Sequence, residues 1–226
     1  FETLSDLHSY SARVASAVGV MMCVIMNVRD KDVLARACDL GAAMQLTNIA
    51  RDIGEDARNG RLYMPLEWMS EEGLNSTEFL KNPKASAKTA RIAKRLILEA
   101  EHLYHRAEAG LSELPLSCRP GIFAARHIYE RIGKHIAAAN YDSITKRAFT
   151  TKVEKVGFLM LSFANTAAVS VMPRSAIVHA EPLQEMKFLV DAAYQVQPAK
   201  KFLDRKASTV MNILEQMERR DRGFQE

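Results

Sequence analysis

The chain has 226 residues, 48% hydrophobic and 26% charged, which is ordinary for a soluble globular protein of one domain, or one and a half. The net charge of +4 suits an anionic substrate or an acidic membrane surface, and is too weak to imply nucleic acid. Three cysteines without a CxxC pair argue against a disulfide framework or a zinc site and fit a reducing cytosol.

Periodicity is helical throughout, with no alternating strand. Leu7–Met26 is an apolar helix, and the next runs from near Lys31 to about Arg58, where Asn59-Gly60 supplies a stop. Pro65 opens a short piece around Leu66–Met69. A long helix from about Ala85 to Gly110 carries Ile92, Leu96, Ala100, Leu103 and Ala107 at three- or four-residue steps. The stretch "LPLSCRPG" breaks it, and a following helix to about Tyr141 places Ile122, Ala125, Ile128, Ile132 and Ile136 on one stripe. The most apolar run, Val156–Met172, is short for a membrane span and is interrupted by Ser162, Asn165, Thr166 and Ser170, so it is read as a buried core helix over Lys152–Met172. A loop around Pro173–Pro182 and two more charged helical segments complete the chain. Basic clusters at Lys84–Arg95 and Lys146–Lys155 read as solvated helix faces, and His102 and His105, lacking a third ligand, as surface. No signal peptide is visible. The first residue is Phe1, already inside a helical pattern, as expected of a fragment of something longer. The expectation is an all-α bundle without a repeat or a second domain.

The second helix holds an unusual stripe. At 100° per residue, Asn48, Asp52 and Asp56 fall within about 80° of one another, with Gln45 in the same arc. Ala42, Leu46, Ile49, Ala50 and Ile53 occupy the adjoining arc, so the polar stripe borders the buried face. Arg51 and Glu55 flank it. Gly54 is unfavourable inside a helix by about 1 kcal/mol relative to Ala, which points to a close approach at that position. Carboxylates turned toward an apolar interior are costly alone. Mg²⁺ relieves the cost, because it takes oxygen ligands from one or two carboxylates and completes its shell with water and substrate phosphate. Arg58 and Arg61 in the next loop could meet the remaining phosphate oxygens. A solvated acidic helix is the plainer alternative, and spacing alone leaves both open.

The stretch "QLTNIARDIGEDARNGRLYMP" (Gln45–Pro65) resembles the second aspartate-rich motif of the squalene and phytoene synthases, Q-x-x-N-I-x-R-D-x-x-E-D. "YSARVASAVG" (Tyr10–Gly19) is similar to the family's Y-C-x-x-V-A-G-x-V-G helix, with Ser11 and Ser16 in place of Cys and Gly. "ANYDSITKRAFTTK", "LPLSCRPGI" and "GRLYMPLEWM" resemble its bacterial phytoene synthase branch. The likeness covers roughly residues 1–172 and weakens over 173–226. It implies a partial isoprenoid synthase-type helical bundle with a central cavity, in which two allylic diphosphates are joined head to head through a cyclopropyl diphosphate. By position it implies Asn48, Asp52 and Asp56 as Mg²⁺ (or Mn²⁺) ligands with Glu55 in support, Gln45 on the cavity wall and Arg51 behind the metal. It places Tyr10 near the reacting carbons and Tyr141 near diphosphate, with Arg58, Arg61 and Arg147 as further diphosphate contacts. On isolated grounds both tyrosines read sooner as core-rim residues.

The family's first aspartate-rich motif has no counterpart, since Asp52/Asp56 is the only Asp pair at that spacing with the motif around it. Its helices would lie upstream of Phe1, and the 226 residues alone are expected to be inactive and marginally folded. The leading expectation is geranylgeranyl diphosphate converted to phytoene without a nicotinamide cofactor, in the cytoplasm or peripherally at the inner face of the membrane. A squalene-type enzyme using farnesyl diphosphate is the runner-up, and a non-catalytic scaffold the third reading. Chain length and oligomeric state are not fixed by these residues.

Overall fold

Side-chain caps set most of the helix starts in the computed structural model, which describes residues 1–171 and 175–195. Thr3 and Asp6 form a reciprocal pair that opens α1 (Leu4–Ser11), which continues through a π turn (Ala12–Ser16) into α2 (Ala17–Ile25). The Asp30 carboxylate accepts from the amides of Asp32 and Val33 at 2.9 and 3.1 Å and starts α3 (Lys31–Arg58). Gly60, at φ +71°, turns the chain after it. Pro65 precedes α4 (Leu66–Glu71), and Asn75 caps α5 (Ser76–Lys81). Periodicity does not foretell α5, because six residues hold fewer than two turns. Ser86 and Thr89 cap α6 (Ala87–Glu108), Pro120 sits in the first turn of α7 (Arg119–Ala138), and α8 covers Lys152–Val171. Two 3₁₀ turns, Ala176–His179 and Gln184–Met186, lead to α9 (Lys187–Gln195). The first of the two expected C-terminal charged segments is thus α9. The second falls in 196–226, outside the described residues. No strand occurs among the described residues.

Helix α3 is the centre of the bundle. It packs along α6, with α7, α2 and the π turn against its other sides. Leu34, Leu46 and Ala50 of α3 meet Ile92, Leu96 and Leu103 of α6 in a core that excludes water completely. Thr47 donates to the Ala43 carbonyl, so the Tyr104 hydroxyl, 3.0 Å away, donates to Thr47 and is satisfied inside that core. Asp39, fully buried, lies between Arg36 at 2.8 Å and Arg106 at 3.0 Å. The two guanidinium groups also donate to the carbonyls of Ile177 (2.6 Å) and Glu181 (2.7 Å), which ties the segment after α8 onto α3 and α6.

The close approach signalled by Gly54 is present. A Cβ there would lie 2.6 Å from the Cα and the carbonyl oxygen of Ile144, and the Gly54 amide donates to the Ser143 carbonyl at 3.0 Å. The loop after α7 therefore lies directly on α3. His102 and His105 are exposed, as expected, and the three cysteines are free.

The reading of Lys152–Met172 as a buried core helix is corrected. Helix α8 packs on α7, but Val153 is 82% exposed, Met160 67% and Phe163 56%. Continuous apolarity is the pattern of a helix covered on all sides, and among the described residues only the side facing α7 is well covered. The contact with α7 centres on His127, whose ring stacks between Phe123 and Phe158 at centroid distances of 6.1 and 6.0 Å. Arg126 donates to its Nδ1 at 3.2 Å, and the Asn165 side-chain amide lies 2.8 Å from Nε2. Burial and the neighbouring Arg126 charge hold the His127 imidazolium below its ordinary range, against the pull of Glu130 and Glu108. The folded state therefore prefers neutral histidine. Stability should be at its reference level above the unfolded value of about 6.5 and decline as pH falls through it, until the lower folded value is reached. Urea unfolding from pH 7.5 to 5 should show this loss in the wild type and a flatter profile in His127→Gln.

Candidate active site

A cavity of about 350 Å³ runs beside α3, lined by its face from Val33 to Asn48, by α2 and the π turn, and by Leu111, Leu114, Ile122 and Tyr129. Fifteen residues of helical rise give it a length of about 22 Å. Its walls are mainly apolar. Gln45 and Asn48 stand at one end, and the buried Arg36 near the other. The approach of the π turn to α3 is as close as that of the loop to Gly54, since a Cβ on Gly41 would lie 2.7 Å from the Ser16 backbone.

The polar stripe continues from the Asn48 end onto the rim. The Asn48 Oδ1 atom is buried and without a hydrogen-bond partner among the described residues. One turn on, Asp52 accepts from Arg51 Nε at 2.8 Å and Nη2 at 2.5 Å, and from Arg147 Nε at 2.9 Å. Arg147 also pairs with Glu55 at 3.0 Å. Burial pushes the Asp52 carboxyl up, but the hydrogen bonds from Arg51 and Arg147 outweigh it and hold the group below its ordinary range. Asp56 goes the other way. Burial and the Asp52 charge raise it, with Arg61 only partly offsetting them.

Asp56 opens toward a second, smaller hollow lined also by Ile49, Ile53, Arg61 and Tyr63. Tyr63 joins Phe1 and Tyr10 in a ring cluster with centroids 5.1–6.1 Å apart. Burial, a hydrogen bond with Tyr63 and the charge of Asp56 hold the Tyr10 phenol above its ordinary range. The fold thus gathers Gln45, Asn48, Arg51, Asp52, Glu55, Asp56 and Arg147 along one edge, with Arg61 and Tyr10 on the Asp56 side. Arg58 is instead engaged with the Ile144 carbonyl at 3.2 Å. Tyr141, half-buried against the core, sits in a left-handed turn with Asn140 (φ +59° and +55°). Tyr63 escapes the sequence reading, although its place two residues after Arg61 was a usable signal. Arg36 had none, since nothing local marks a buried arginine as part of a cavity wall.

The donor set fits Mg²⁺. An unpartnered amide oxygen stands beside two carboxylates at four-residue steps, one of them destabilised by the other's charge. Among the described residues no three His, Cys, Asp or Glu side chains converge on one point, so these residues alone do not cage an ion. Mg²⁺ does not need a cage, because it commonly keeps waters and takes substrate phosphate as ligand.

A family model described as Squalene/phytoene synthase matches residues 1–154. The chain is 51% identical to the phytoene synthase of Cereibacter sphaeroides over 98% of its own length and 61% of that protein's. It is 48% identical to the phytoene synthase of Rhodobacter capsulatus over 99% of the chain and 65% of that relative. The chain thus spans less than two thirds of either relative. A crystal structure of a dehydrosqualene synthase in complex with ligand superposes with a TM-score of 0.65 at 31% identity, covering 74% of this chain and 59% of that one.

The orphaned Asn48 oxygen predicts a conflict between stability and binding. Asn48→Leu, similar in volume, removes an unsatisfied buried acceptor worth about 1–3 kcal/mol. Its thermal midpoint should rise by at least ~2 °C in calorimetry, while Mg²⁺ binding measured on the same sample weakens.

Proposed function

Because the chain belongs to the squalene/phytoene synthase family, we propose that its site serves the head-to-head joining of two geranylgeranyl diphosphates to phytoene. The observation that carries the reading is 51% identity to a phytoene synthase along nearly the whole chain. The polar stripe at one end of a long apolar cavity supports it. A scaffold would have no use for oxygen donors at that position.

Asn48, Asp52 and Asp56, with Glu55 in support, would hold Mg²⁺ or Mn²⁺, which offsets the charge that develops on a departing diphosphate. The protein's own residues do the rest. Arg61 and Arg147, both exposed beside the acids, offer donors to phosphate oxygens, and Arg51 keeps Asp52 oriented. Arg58 and Tyr141 serve less directly, by holding the loop after α7 against α3. The apolar wall keeps water from a carbocation, and Gln45 supplies one polar point on it. The last carbocation loses a proton from carbon, its C–H pair becoming the central double bond. Diphosphate can accept that proton, directly or through the Tyr10 hydroxyl, which passes its own proton to diphosphate as it takes one up. Hydride delivery from a nicotinamide is then not required.

The product assay decides chain length and cofactor together. Supplied with farnesyl and geranylgeranyl diphosphates and Mg²⁺, the full-length protein should form phytoene, identified by mass, with or without NADPH. Asp52→Asn and Asp56→Asn should each lower turnover by about two orders of magnitude or more. A squalene-mass product formed only with NADPH would replace this reading with the farnesyl one. Near-normal turnover in both variants would remove the metal assignment.

We also place the protein peripherally at the inner face of the cytoplasmic membrane. The net charge of +4 suits an anionic surface, the product is an apolar hydrocarbon, and no helix among the described residues is long and apolar enough to cross a bilayer. Co-sedimentation with phosphatidylglycerol vesicles should be strong in low salt and fall with added NaCl. Equal recovery with neutral phosphatidylcholine vesicles would refute the electrostatic placement.

A further inference from the structure

Three acids and three arginines share the rim of the cavity: Asp52, Glu55 and Asp56 with Arg51, Arg61 and Arg147. Their formal charges cancel. A divalent cation entering such a site gains little unless one of the positive groups withdraws. The structure distinguishes which arginine is placed to do so. Arg51 binds Asp52 with two nitrogens, at 2.8 and 2.5 Å, and its side chain is 18% exposed. Arg147 reaches the same carboxylate through Nε alone, at 2.9 Å, and Nε also faces Glu55 at 3.0 Å. The Nε hydrogen bonds Asp52 and the Glu55 contact is an ion pair alone, so one hydrogen bond holds Arg147 where two hold Arg51. The Arg147 side chain is 58% exposed, where ion pairs contribute little.

The backbone around Arg147 permits its withdrawal without unfolding the loop. The Ser143 carbonyl is held by the Gly54 amide and the Ile144 carbonyl by Arg58. Asp142 accepts from the amides of Ile144 and Thr145 at 3.1 and 2.9 Å. These anchors lie before Lys146 and involve neither Asp52 nor Arg147. The side chain can therefore leave while the base of the loop stays on α3.

We propose that Arg147 is the exchangeable cation of this site. A divalent metal ion and the Arg147 guanidinium compete for the oxygens of Asp52 and Glu55, and metal loading releases Arg147 as a positioning residue for the anionic end of the substrate. The inference rests on the metal reading above and adds an order to it: the metal displaces the arginine, and the arginine then meets the diphosphate.

The test needs no turnover. Protein labelled with ¹⁵N is titrated with MgCl₂ while the arginine Nε–Hε signals are followed by NMR, that of Arg147 being assigned by its loss in Arg147→Gln. The Arg147 signal should move toward that of a free guanidinium along the same saturation curve as the Asp52 backbone amide, whereas Arg51 should keep its paired position. Arg147→Gln should bind Mg²⁺ about fivefold more tightly, as expected when an exposed competing ion pair is removed. Saturation at Asp52 with an unmoved Arg147 signal would overturn the exchange and leave the metal site standing. So would unchanged or weaker Mg²⁺ binding by Arg147→Gln. If neither protein saturates, the exchange fails, because it requires the metal to load on these oxygens before diphosphate arrives, while the metal reading stays with the Asp52→Asn and Asp56→Asn assays. The wild-type titration decides the matter even if the variant misfolds.

Discussion

A carboxylate beside an apolar cavity has to be matched by positive charge, and α3 meets that demand twice. Asp39 sits between Arg36 and Arg106, and Asp52 between Arg51 and Arg147. Thirteen residues, or about 20 Å of helix, separate the two aspartates. Each group also meets a piece of chain from beyond α6: the first holds the carbonyls of Ile177 and Glu181, the second the Arg147 side chain from the loop after α7. The cavity lies along the helix from Val33 to Asn48, past the first group and up to the second. Without these pairings α3 could not carry acid along an apolar wall.

The two groups differ in access to water, and that difference separates structure from chemistry. Asp39 is completely buried, and burial pushes its carboxyl up in spite of both arginines. Removing either arginine would leave a charge with nowhere to be hydrated, which makes the arrangement rigid. Asp52 keeps partial access to solvent and is held ionised by its partners. A group in that condition can trade one cation for another at modest cost.

Much of this was legible before any coordinates. Helical period and the Asn59-Gly60 stop bound a helix from near Lys31 to about Arg58, and α3 has those bounds. Gly54 announced a neighbour because glycine inside a helix requires a reason, and Ile144 supplies it. The placement of Asn48, Asp52 and Asp56 beside the buried arc follows from helical phase alone. What was not legible depends on distant partners. The exposure of α8 is set by what covers it, which periodicity does not encode. Arg36 and Arg106 are charged residues on helices whose burial arises only when α3, α6 and the segment after α8 meet. Tyr63 gains significance from Tyr10, which lies more than fifty positions away in the chain.

The π turn at Ala12–Ser16 changes how the first helical segment can be used. Hydrogen bonds that skip one extra residue widen the turn, so everything after it lags by about one position, or roughly 100°, behind an unbroken α-helix. Before the turn, Tyr10 faces Phe1 and Tyr63. After it, Val18, Gly19 and Met22 face the cavity beside α3. One continuous rod thereby presents two differently aimed surfaces. Deleting a single residue inside the turn would leave an unbroken α-helix with both surfaces still on their targets, because the residue lost is the one that the wide turn accommodates.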